Sequence, residues 1–481
     1  MTGSVPRLRL VEAELFERLV QFRLPFRFGA VTVTHAPQVF VRVRIRLADG
    51  REGEGMAAEL LVPKWFDKSP VLTHEENFTQ LRRSLLLARK HLLAAGTDTA
   101  FGLSAAVESE QHRACAAAGL NDLVASYGLA LHERAVIDAL GGLLGEDVFT
   151  MVQANRLGIG ASTAPDLAGF ELAGFLAQLR PASSIAARHT VGLADALTAS
   201  DIPSERRLND GLPETLEEVI ATYRHRYFKL KVAGQIESDV GRLVAIAAVL
   251  DHTVGDYKAT LDGNEQFDHV EAVAALWRRI GEEPRLARLK ASILFVEQPI
   301  ARARALAEPV HRLAGEIPLE IDESDADIDA FPRARALGYR GISSKSCKGF
   351  YRALLNRARI AKWNSDEDDE RYFMSAEDLT TQAGIAVQQD LALATLVGAT
   401  HIERNGHHYV DGMAGAPEGE QQAFLAAHPR LYRHVNGRVR LAINAGAIDL
   451  TSLAGVPGLA VGVTPDFAEM DALPQELTGA H

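Results

Sequence analysis

From about residue 189 onward, short apolar runs alternate with segments of helical periodicity. This rhythm is typical of strands joined by helices in a parallel sheet. The runs are Thr190–Leu193, Tyr227–Val232, Ala259–Leu261, Ile293–Val296, Pro318–Ile321, Gly341–Ser344, Tyr372–Met374 and Thr400–Ile402. Eight strands with intervening helices predict an α/β barrel of the modified TIM type. A doubly wound open sheet is the competing arrangement, because periodicity alone does not exclude it.

The first third of the chain follows a different pattern. Residues 39–47 alternate strictly between apolar and polar side chains, which predicts a half-buried strand, and residues 51–58 follow a turn as its hairpin partner. A capping box at Thr73–Glu76 opens an amphipathic helix that ends at Gly96, and a second helix is predicted over residues 121–144. These elements indicate an α+β unit.

Composition narrows the class of protein. The 481 residues carry a formal net charge of −12, which argues against a nucleic-acid partner or an anionic membrane surface. Cys115 and Cys347 are the only cysteines, so a disulfide framework and a cysteine-rich zinc site are excluded, and Cys347 is interpreted as a packing residue. Nucleotide-binding glycine motifs, a signal-peptide pattern and a bilayer-spanning run are lacking. We therefore expect a cytoplasmic enzyme without a nucleotide cofactor.

Charged side chains come directly after several of the apolar runs. In a barrel these positions are the carboxyl ends of the strands, where the active site lies. The third, fourth and fifth runs lead into carboxylates and the second and sixth into lysines: Asp262, Glu297 and Asp322, and Lys229, Lys231 and Lys345. Converging carboxylates raise one another's pKa, and a divalent cation removes that conflict. All-oxygen ligation favours Mg²⁺, with Mn²⁺ as the second choice. Burial and the cation would both lower the pKa of the lysines toward that of a general base.

Simpler interpretations exist for each residue alone. A single carboxylate after a strand is often a helix cap or a loop ion pair, and Lys229 alone could be a surface lysine. Strand alternation nevertheless places Lys229 and Lys231 on the same side. The segment Glu403–His408 either contacts the distal part of a substrate or forms a turn at Asn405-Gly406 with ordinary loop histidines.

Taken in order, these motifs resemble the enolase superfamily, and within it the mandelate racemase/muconate lactonizing enzyme group with two active-site lysines. The matching pieces are Lys229-x-Lys231, Leu261-Asp262-Gly263-Asn264, Glu297-Gln298-Pro299, Asp322-Glu323-Ser324 and Lys345 before Gly349. The N-terminal third is similar to the capping domain of that family, and Pro25–Gly29 to its substrate-covering loop. The sequence departs from the family pattern in three ways: an extended helical insertion is expected around Arg278–Ser292, Lys348-Gly349-Phe350 stands in place of a glycine pair, and the chain as a whole is long for the group.

The resemblance implies a (β/α)7β-like barrel at 186–410, an α+β capping domain at 1–185, and a C-terminal segment at 411–481 that packs back on the capping domain. It implies Asp262, Glu297 and Asp322 as metal ligands and Lys231 and Lys345 as acid–base groups on opposite faces of the substrate. It also assigns Lys229, Asn264 and Glu323 to substrate binding, with Asn264 and Glu323 behind the ligands, and the position of Glu403 after the eighth strand adds this residue to the predicted substrate-binding set.

The implied reaction is Mg²⁺-dependent abstraction of a proton α to the carboxylate of a small molecule, through an enediolate. Because both lysines are present, we favour a racemase or epimerase. A cycloisomerase or a β-elimination lyase, such as a dehydratase or an o-succinylbenzoate synthase-like enzyme, would use the same site. A non-catalytic carboxylate-binding barrel and a Schiff-base aldolase are further alternatives, and the latter leaves the carboxylates unexplained. A homo-oligomer is expected from the resemblance.

Overall fold

The computed structural model describes residues 5–28 and 31–474. Its N-terminal part is an antiparallel sheet covered by helices. The strands are β1 (Leu8–Phe28), β2 (Val31–Leu47) and β3 (Glu52–Leu60). The helices are α1 (His74–Ala94), α2 (Ala100–Ala117), α3 (Asp122–Leu144), α4 (Val148–Gln153) and α5 (Leu172–Gln178). The predicted hairpin and both predicted helices are confirmed.

The ends of these elements follow local sequence chemistry. The capping box predicted at the start of α1 is present, with the Thr73 hydroxyl accepting from the amide of Glu76 and the Glu76 carboxylate accepting from the amide of Thr73. The predicted substrate-covering loop, Pro25–Gly29, falls at the end of the β1–β2 hairpin. Its last residue lies outside the described residues.

Helix α3 packs directly against β3, and glycine makes this approach possible. A Cβ atom added to Gly55 of β3 would lie 2.1 Å from the backbone nitrogen of Ala139 in α3. Beside this contact, the buried Asp138 carboxylate accepts hydrogen bonds from the amides of Met56 and Leu459, at 3.0 and 2.8 Å. The helix is thereby tied to the sheet and to the C-terminal tail.

Parallel strands between Ser184 and Arg404, a stretch that is described throughout, form the barrel. They are β4 (Ser184–Val191), β5 (Tyr227–Lys231), β6 (Lys258–Asp262), β7 (Ile293–Glu297), β8 (Leu319–Ile321), β9 (Gly341–Ser344), β10 (Phe373–Ala376) and β11 (His401–Arg404). The order β10-β9-β8-β7-β6-β5-β4-β11 places the last strand beside the first. This order confirms the modified barrel and excludes the doubly wound sheet, whose first strand would lie in the interior of the sheet.

Side chains close the seam between β10 and β11. Asp378 accepts a hydrogen bond from Arg404 at 3.0 Å and one from the amide of Asn405 at 2.6 Å, while its own amide donates to Glu403 at 3.0 Å. The seam is therefore held by charged groups at the mouth of the barrel.

Helices connect the strands on the outside of the barrel. They are α6 (Leu216–Tyr223), α7 (Ile236–Thr253), α8 (Val270–Glu282), α9 (Ala287–Ser292), α10 (Arg302–Ala305), α11 (His311–Ala314), α12 (Ala330–Ala336), α13 (Phe350–Glu367), α14 (Ile385–Leu396) and α15 (Gly406–Tyr409). The insertion expected before β7 is present as a 3₁₀ turn, Pro284–Leu286, followed by α9. The least accurate strand prediction was the first: β4 begins and ends earlier than Thr190–Leu193.

The chain after residue 410 contacts both parts of the molecule. Its elements are α16 (Glu418–Ala427), β12 (Tyr432–Val435), β13 (Arg438–Leu441), β14 (Ala447–Asp449) and β15 (Asp471–Ala472). Strand β15 pairs with β1, and β14 pairs antiparallel with β4 of the barrel. The limits proposed for the domains, at 185 and 410, stay a prediction. None of the helices in the described ranges has the length and apolar character needed to cross a membrane.

The close approach of β3 and α3 can be tested with two glycines. Gly55→Ala forces Cβ into the backbone of α3 and should lower the free energy of unfolding by about 1–3 kcal/mol. Gly142→Ala, at a helical position of α3 with open space around its Cβ, should raise it by about 0.5–1 kcal/mol. Urea unfolding followed by circular dichroism measures both, and equal stabilities for the two variants would contradict the packing.

Candidate active site

A small cleft lies at the carboxyl ends of the barrel strands and is covered by residues of the N-terminal part. The covering residues are Phe26, Val62 and Trp65. The barrel contributes Lys229, Lys231, Asp262, Asn264, Lys345, Asp378, Leu379, Thr380, Glu403 and Asn405. Of the predicted site residues, Glu297, Asp322 and Glu323 do not line the cleft and lie beneath it, completely buried.

The ammonium group of Lys229 is the centre of the charged network under the cleft. It lies 2.9 Å from Asp262 Oδ2, 2.8 Å from Glu297 Oε1, 2.9 Å from Glu377 Oε2 and 3.0 Å from Glu403 Oε2. Only 1% of this side chain is exposed. Burial opposes the charged form, but the carboxylates outweigh it and raise the pKa of Lys229 well above its usual value. Lys229 is therefore a buried cation shared by four acids, and its predicted contact with the substrate stays a prediction.

Strand register brings the first predicted ligands together. Lys231 of β5, Asp262 of β6 and Glu297 of β7 are neighbours in one row across the sheet. Lys231 Nζ lies 2.5 Å from the same Asp262 oxygen that Lys229 contacts, so the two lysines face the same side, as alternation predicted. Burial alone would raise the pKa of Asp262, but Lys229 and Lys231 lower it.

Lys345 occupies the other side of the site. Its Nζ lies 2.6 Å from Asp322 Oδ2. It also lies 4.3 Å from the centre of the Trp65 ring, which is a cation–π contact with residues 61–68 after β3, the covering segment. A second lysine, which the sequence did not identify as functional, also reaches Asp322: Lys348 Nζ lies 3.4 Å from Asp322 Oδ1 and 2.8 Å from Ser343 Oγ. The only signal for Lys348 was its place in the position of a glycine pair.

The predicted lowering of the lysine pKa values assumed a bound cation and stays a prediction, and in the protein alone the neighbouring carboxylates act in the opposite direction on Lys345 and Lys229. Burial does lower the pKa of Lys345, but Asp322 reverses this effect, and the net pKa is raised. Lys229 behaves in the same way. Each lysine would therefore need an additional positive charge beside its carboxylate before it could act as a neutral base.

The carboxylates have the chemistry of a divalent cation site. Glu297 Oε2 is buried without a hydrogen-bond partner among the described residues, and burial, then Asp262 and Glu377, raise the pKa of Glu297 well above its usual value. A divalent cation would supply the missing partner and remove the repulsion. The donor set therefore fits such an ion.

The three predicted ligands are not gathered into one compact group. Within the described ranges, the carboxylate oxygens that all lie within 4.8 Å of one another are those of Glu297, Glu320 and Glu377. Asp262 and Glu297 both form ion pairs with Lys229. Asp322 instead forms ion pairs with Lys345 and Lys348. Ligation by all three predicted residues would thus require the lysines to give up their ion pairs.

The Glu297-Gln298-Pro299 motif has a positioning role that the sequence did not reveal. The Gln298 side-chain oxygen accepts from the amides of Asp322 and Ser324, at 2.8 and 3.0 Å, and its nitrogen donates to Ser324 Oγ at 2.8 Å. Gln298 thereby fixes the turn that carries Asp322 and Glu323.

Asn264 and Glu323 form a second row behind Asp262. The Asn264 amide donates to Glu323 Oε1 at 2.9 Å, which supports the predicted position of this pair behind the ligands. Lys68, from the covering segment, contacts the same Glu323 oxygen at 3.1 Å and Glu265 at 2.6 Å. Lys68 was not predicted, because no local pattern links it to the barrel.

Glu403 closes the site on the side of the last strand. It accepts from the Thr190 hydroxyl, from Lys229 and from Asn405 Nδ2, the last at 2.9 Å. Burial opposes its charge, but the nearby lysines lower the pKa of Glu403 well below its usual value. His407 and His408 follow in α15 and do not belong to the lining of the cleft.

Solved structures with this arrangement of a covering sheet and a barrel include several enzymes. The chain is similar to a muconate lactonizing enzyme from Pseudomonas fluorescens complexed with muconolactone (18% identity, 95% of this chain and 97% of that chain, TM-score 0.57). It is also similar to a dipeptide epimerase from Cytophaga hutchinsonii complexed with Mg and the dipeptide D-Ala-L-Val (14% identity, 97% of this chain and 99% of that chain, TM-score 0.58). A third similar structure is an enolase from Bradyrhizobium complexed with magnesium and mandelic acid (17% identity, 94% of this chain and 95% of that chain, TM-score 0.55).

The chain has the fold of the enolase superfamily. This is the fold that the resemblance implied. No protein-family model and no curated protein matches the sequence. At these identities the likeness concerns the fold, so the activity has to be argued from the site itself.

The central position of Lys229 leads to a stability prediction. Lys229→Met leaves four buried carboxylates without their shared cation and should cost about 3–5 kcal/mol in urea unfolding at pH 7. Because the folded-state pKa of Lys229 is raised, its own contribution is fully present below about pH 10, its unfolded value. The deficit of the variant should therefore persist up to that pH, shrink as the pH rises further and Lys229 loses its proton, and shrink also at low pH as the carboxylates become protonated.

The matched control is Lys90→Met, which removes an exposed lysine of α1. This substitution should change the free energy of unfolding by no more than about 0.5 kcal/mol. A Lys229→Met protein as stable as Lys90→Met would show that the shared ammonium group does not hold the network together.

Proposed function

We propose that this protein is a divalent-metal-dependent enzyme that abstracts the proton α to the carboxylate of a small molecule. The observation that carries the proposal is the pairing of two cleft lysines with two predicted metal ligands, Lys231 with Asp262 and Lys345 with Asp322. Each lysine thus lies where a cation bound by its carboxylate would change its protonation. An isomerase or a lyase is the class of enzyme that this chemistry supports.

Asp262, Glu297 and Asp322 would hold the ion, with Mg²⁺ as the first choice and Mn²⁺ as the second. The negative charge of the enediolate would be stabilised by that ion. The ion would then compete with Lys229 and Lys231 for the Asp262 oxygen that the two ammonium groups share.

Lys231 and Lys345 would exchange the α-proton at their Nζ atoms. Lys231 is the base on one face of the substrate, and Lys345, held against Trp65, is the acid or base on the other. Phe26, Val62 and Trp65 would exclude water above the reacting carbon. Because both lysines line the cleft, we favour racemisation or epimerisation over one-base reactions.

The same residues support a second reaction class. In a cycloisomerase or a β-elimination lyase, one lysine is the base and the other contributes only its charge. The similar structures include both a dipeptide epimerase and a muconate lactonizing enzyme, so they do not separate these classes. A small carboxylate substrate, a cytoplasmic location and a homo-oligomer complete the proposal, which includes no nucleic-acid or membrane partner.

Hydrogen exchange tests the proton transfer. A panel of carboxylic acids and N-acylated amino acids is incubated with the enzyme and Mg²⁺ in D₂O, and deuterium at the α-carbon is followed by NMR. Lys231→Ala and Lys345→Ala should each slow exchange by about 10²–10⁴-fold, whereas Lys90→Ala should not change it. Exchange into both antipodes indicates a two-base isomerase, and exchange that persists in the Lys231→Ala/Lys345→Ala double variant would refute the assignment. Failure of borohydride to trap substrate on the protein separates the proposal from a Schiff-base aldolase.

Metal dependence is tested at the ligands. Asp262→Asn and Glu297→Gln should abolish exchange and weaken Mg²⁺ binding in calorimetry, because each replaces a charged oxygen donor by a neutral amide. Far-UV circular dichroism verifies that the variants are folded. Full turnover of either variant in the presence of a chelator would rule out the metal role.

A further inference from the structure

A cluster of histidines lies on the outer side of the barrel wall, separate from the carboxylate site. Arg188 and Thr190 of β4 point into the barrel, where they bind Glu377 and Glu403. His189, between them, therefore points outward. There it meets His225, just before β5, and His407 of α15, with ring centres 5.4 and 6.0 Å away.

The ring nitrogens of this cluster lie within reach of a single ion. One nitrogen from each of His189, His225 and His407 lies within 4.8 Å of the other two, and the rings of His225 and His407 are 5.7 Å apart. Three imidazoles that converge from three separate segments form a face with an open side, as in zinc sites with three histidines. We propose that His189, His225 and His407 form a second metal site, which takes Zn²⁺ or a similar transition-metal ion.

The nitrogens that would bind the ion have no other use in the structure. His189 Nδ1, His225 Nε2 and both nitrogens of His407 are shielded from solvent and have no hydrogen-bond partner among the described residues. A buried polar atom without a partner is destabilising, so four such atoms in one place call for a ligand. His225 is oriented for this role, because its Nδ1 lies 2.9 Å from the carbonyl oxygen of Ala187 and leaves Nε2 as the free acceptor.

The electrostatic setting favours neutral imidazoles, the form that binds metals. Burial lowers the pKa of His225 to about 4, and burial together with the neighbouring histidines lowers the pKa values of His189 and His407 well below their usual value. Arg404 also lowers the pKa of His407, but its charge is paired with Asp378 and Asp390. Neutral nitrogen ligands select ions such as Zn²⁺ over Mg²⁺, which separates this site from the carboxylates under the cleft.

A fourth histidine lies beside the cluster. His408 Nδ1 is also buried without a partner in the described part of the chain, and its ring centre lies 5.2 Å from that of His189. The ion would connect β4, the entry to β5 and the helix that follows β11. The role of the site would therefore be structural, and it would anchor the segment that begins with Glu403 and Asn405.

Metal binding to the untagged full-length chain tests the site directly. After chelator treatment and its removal, the protein is dialysed against Zn²⁺ in the presence of excess Mg²⁺, and bound metal is measured by atomic emission. One Zn²⁺ per chain is expected, with a rise in Tm, and Co²⁺ should give the visible absorption of a tetrahedral site. The Asp262→Asn/Glu297→Gln protein should bind Zn²⁺ equally well, so failure of the proposed activity and failure of this site are distinguishable.

The variant that removes a ligand is His407→Gln, chosen because the His407 ring is partly exposed and its loss disturbs packing least. It should lose the bound Zn²⁺ and the Co²⁺ absorption, while His434→Gln, at an exposed histidine of β12, should retain both. The proposal would be overturned if the wild-type protein bound no more Zn²⁺ than His407→Gln, or if Zn²⁺ did not raise its Tm. It would also be overturned if His434→Gln lost as much bound Zn²⁺ as His407→Gln.

Discussion

The ion network around Lys229 is the interaction on which the rest of the site depends. One ammonium group, almost without exposure, is shared by acids from β6, β7, the end of β10 and β11. Arg188 adds a second buried cation, which also binds Glu377. Charges cannot be buried in such numbers unless each is paired, because unpaired ions lose several kcal/mol of solvation. The barrel interior below the cleft is therefore an electrostatic assembly rather than an apolar core, and the mouth of the barrel is built on it.

This assembly explains how acid–base groups and carboxylates can coexist at one strand edge. Asp262 is shared by Lys229 and Lys231, and Asp322 by Lys345 and Lys348. Both carboxylates keep their charge because of their lysines, and Lys345 keeps its proton because of Asp322. Placing a divalent cation on the carboxylates would break this mutual support and release the lysines toward neutrality. The same interactions that stabilise the folded protein thus make its lysines responsive to a metal.

Much of this arrangement could be predicted from the sequence, because the information is local. A charged residue directly after an apolar run must lie at the carboxyl end of a strand, and strand register then brings Lys231, Asp262 and Glu297 into one row. The partners supplied by tertiary packing could not be predicted. Lys68 reaches Glu323 from a segment far away in the chain, and Glu320 lies deeper on the same face of β8 as Asp322. The raised pKa values of Lys229 and Lys345 in the protein alone could not be predicted for the same reason, since they depend on how many acids surround each ammonium group in space.

The residues that cover the cleft are held to the barrel by their backbone, while their apolar side chains face the space above the lysines. Trp65 contacts Lys345 through its ring, and Arg302 of the barrel binds the carbonyl oxygens of Trp65 and Phe66, at 2.8 and 2.9 Å. The backbone of this segment is therefore fixed to the barrel, while Phe26 and Val62 present apolar surface to the cleft. Substitutions at these apolar positions can reshape the space above the lysines without disturbing any ion pair. The side chains of Phe26 and Val62 can thus vary largely independently of the barrel charges, which would allow the proposed proton-transfer site to serve substrates of different shape.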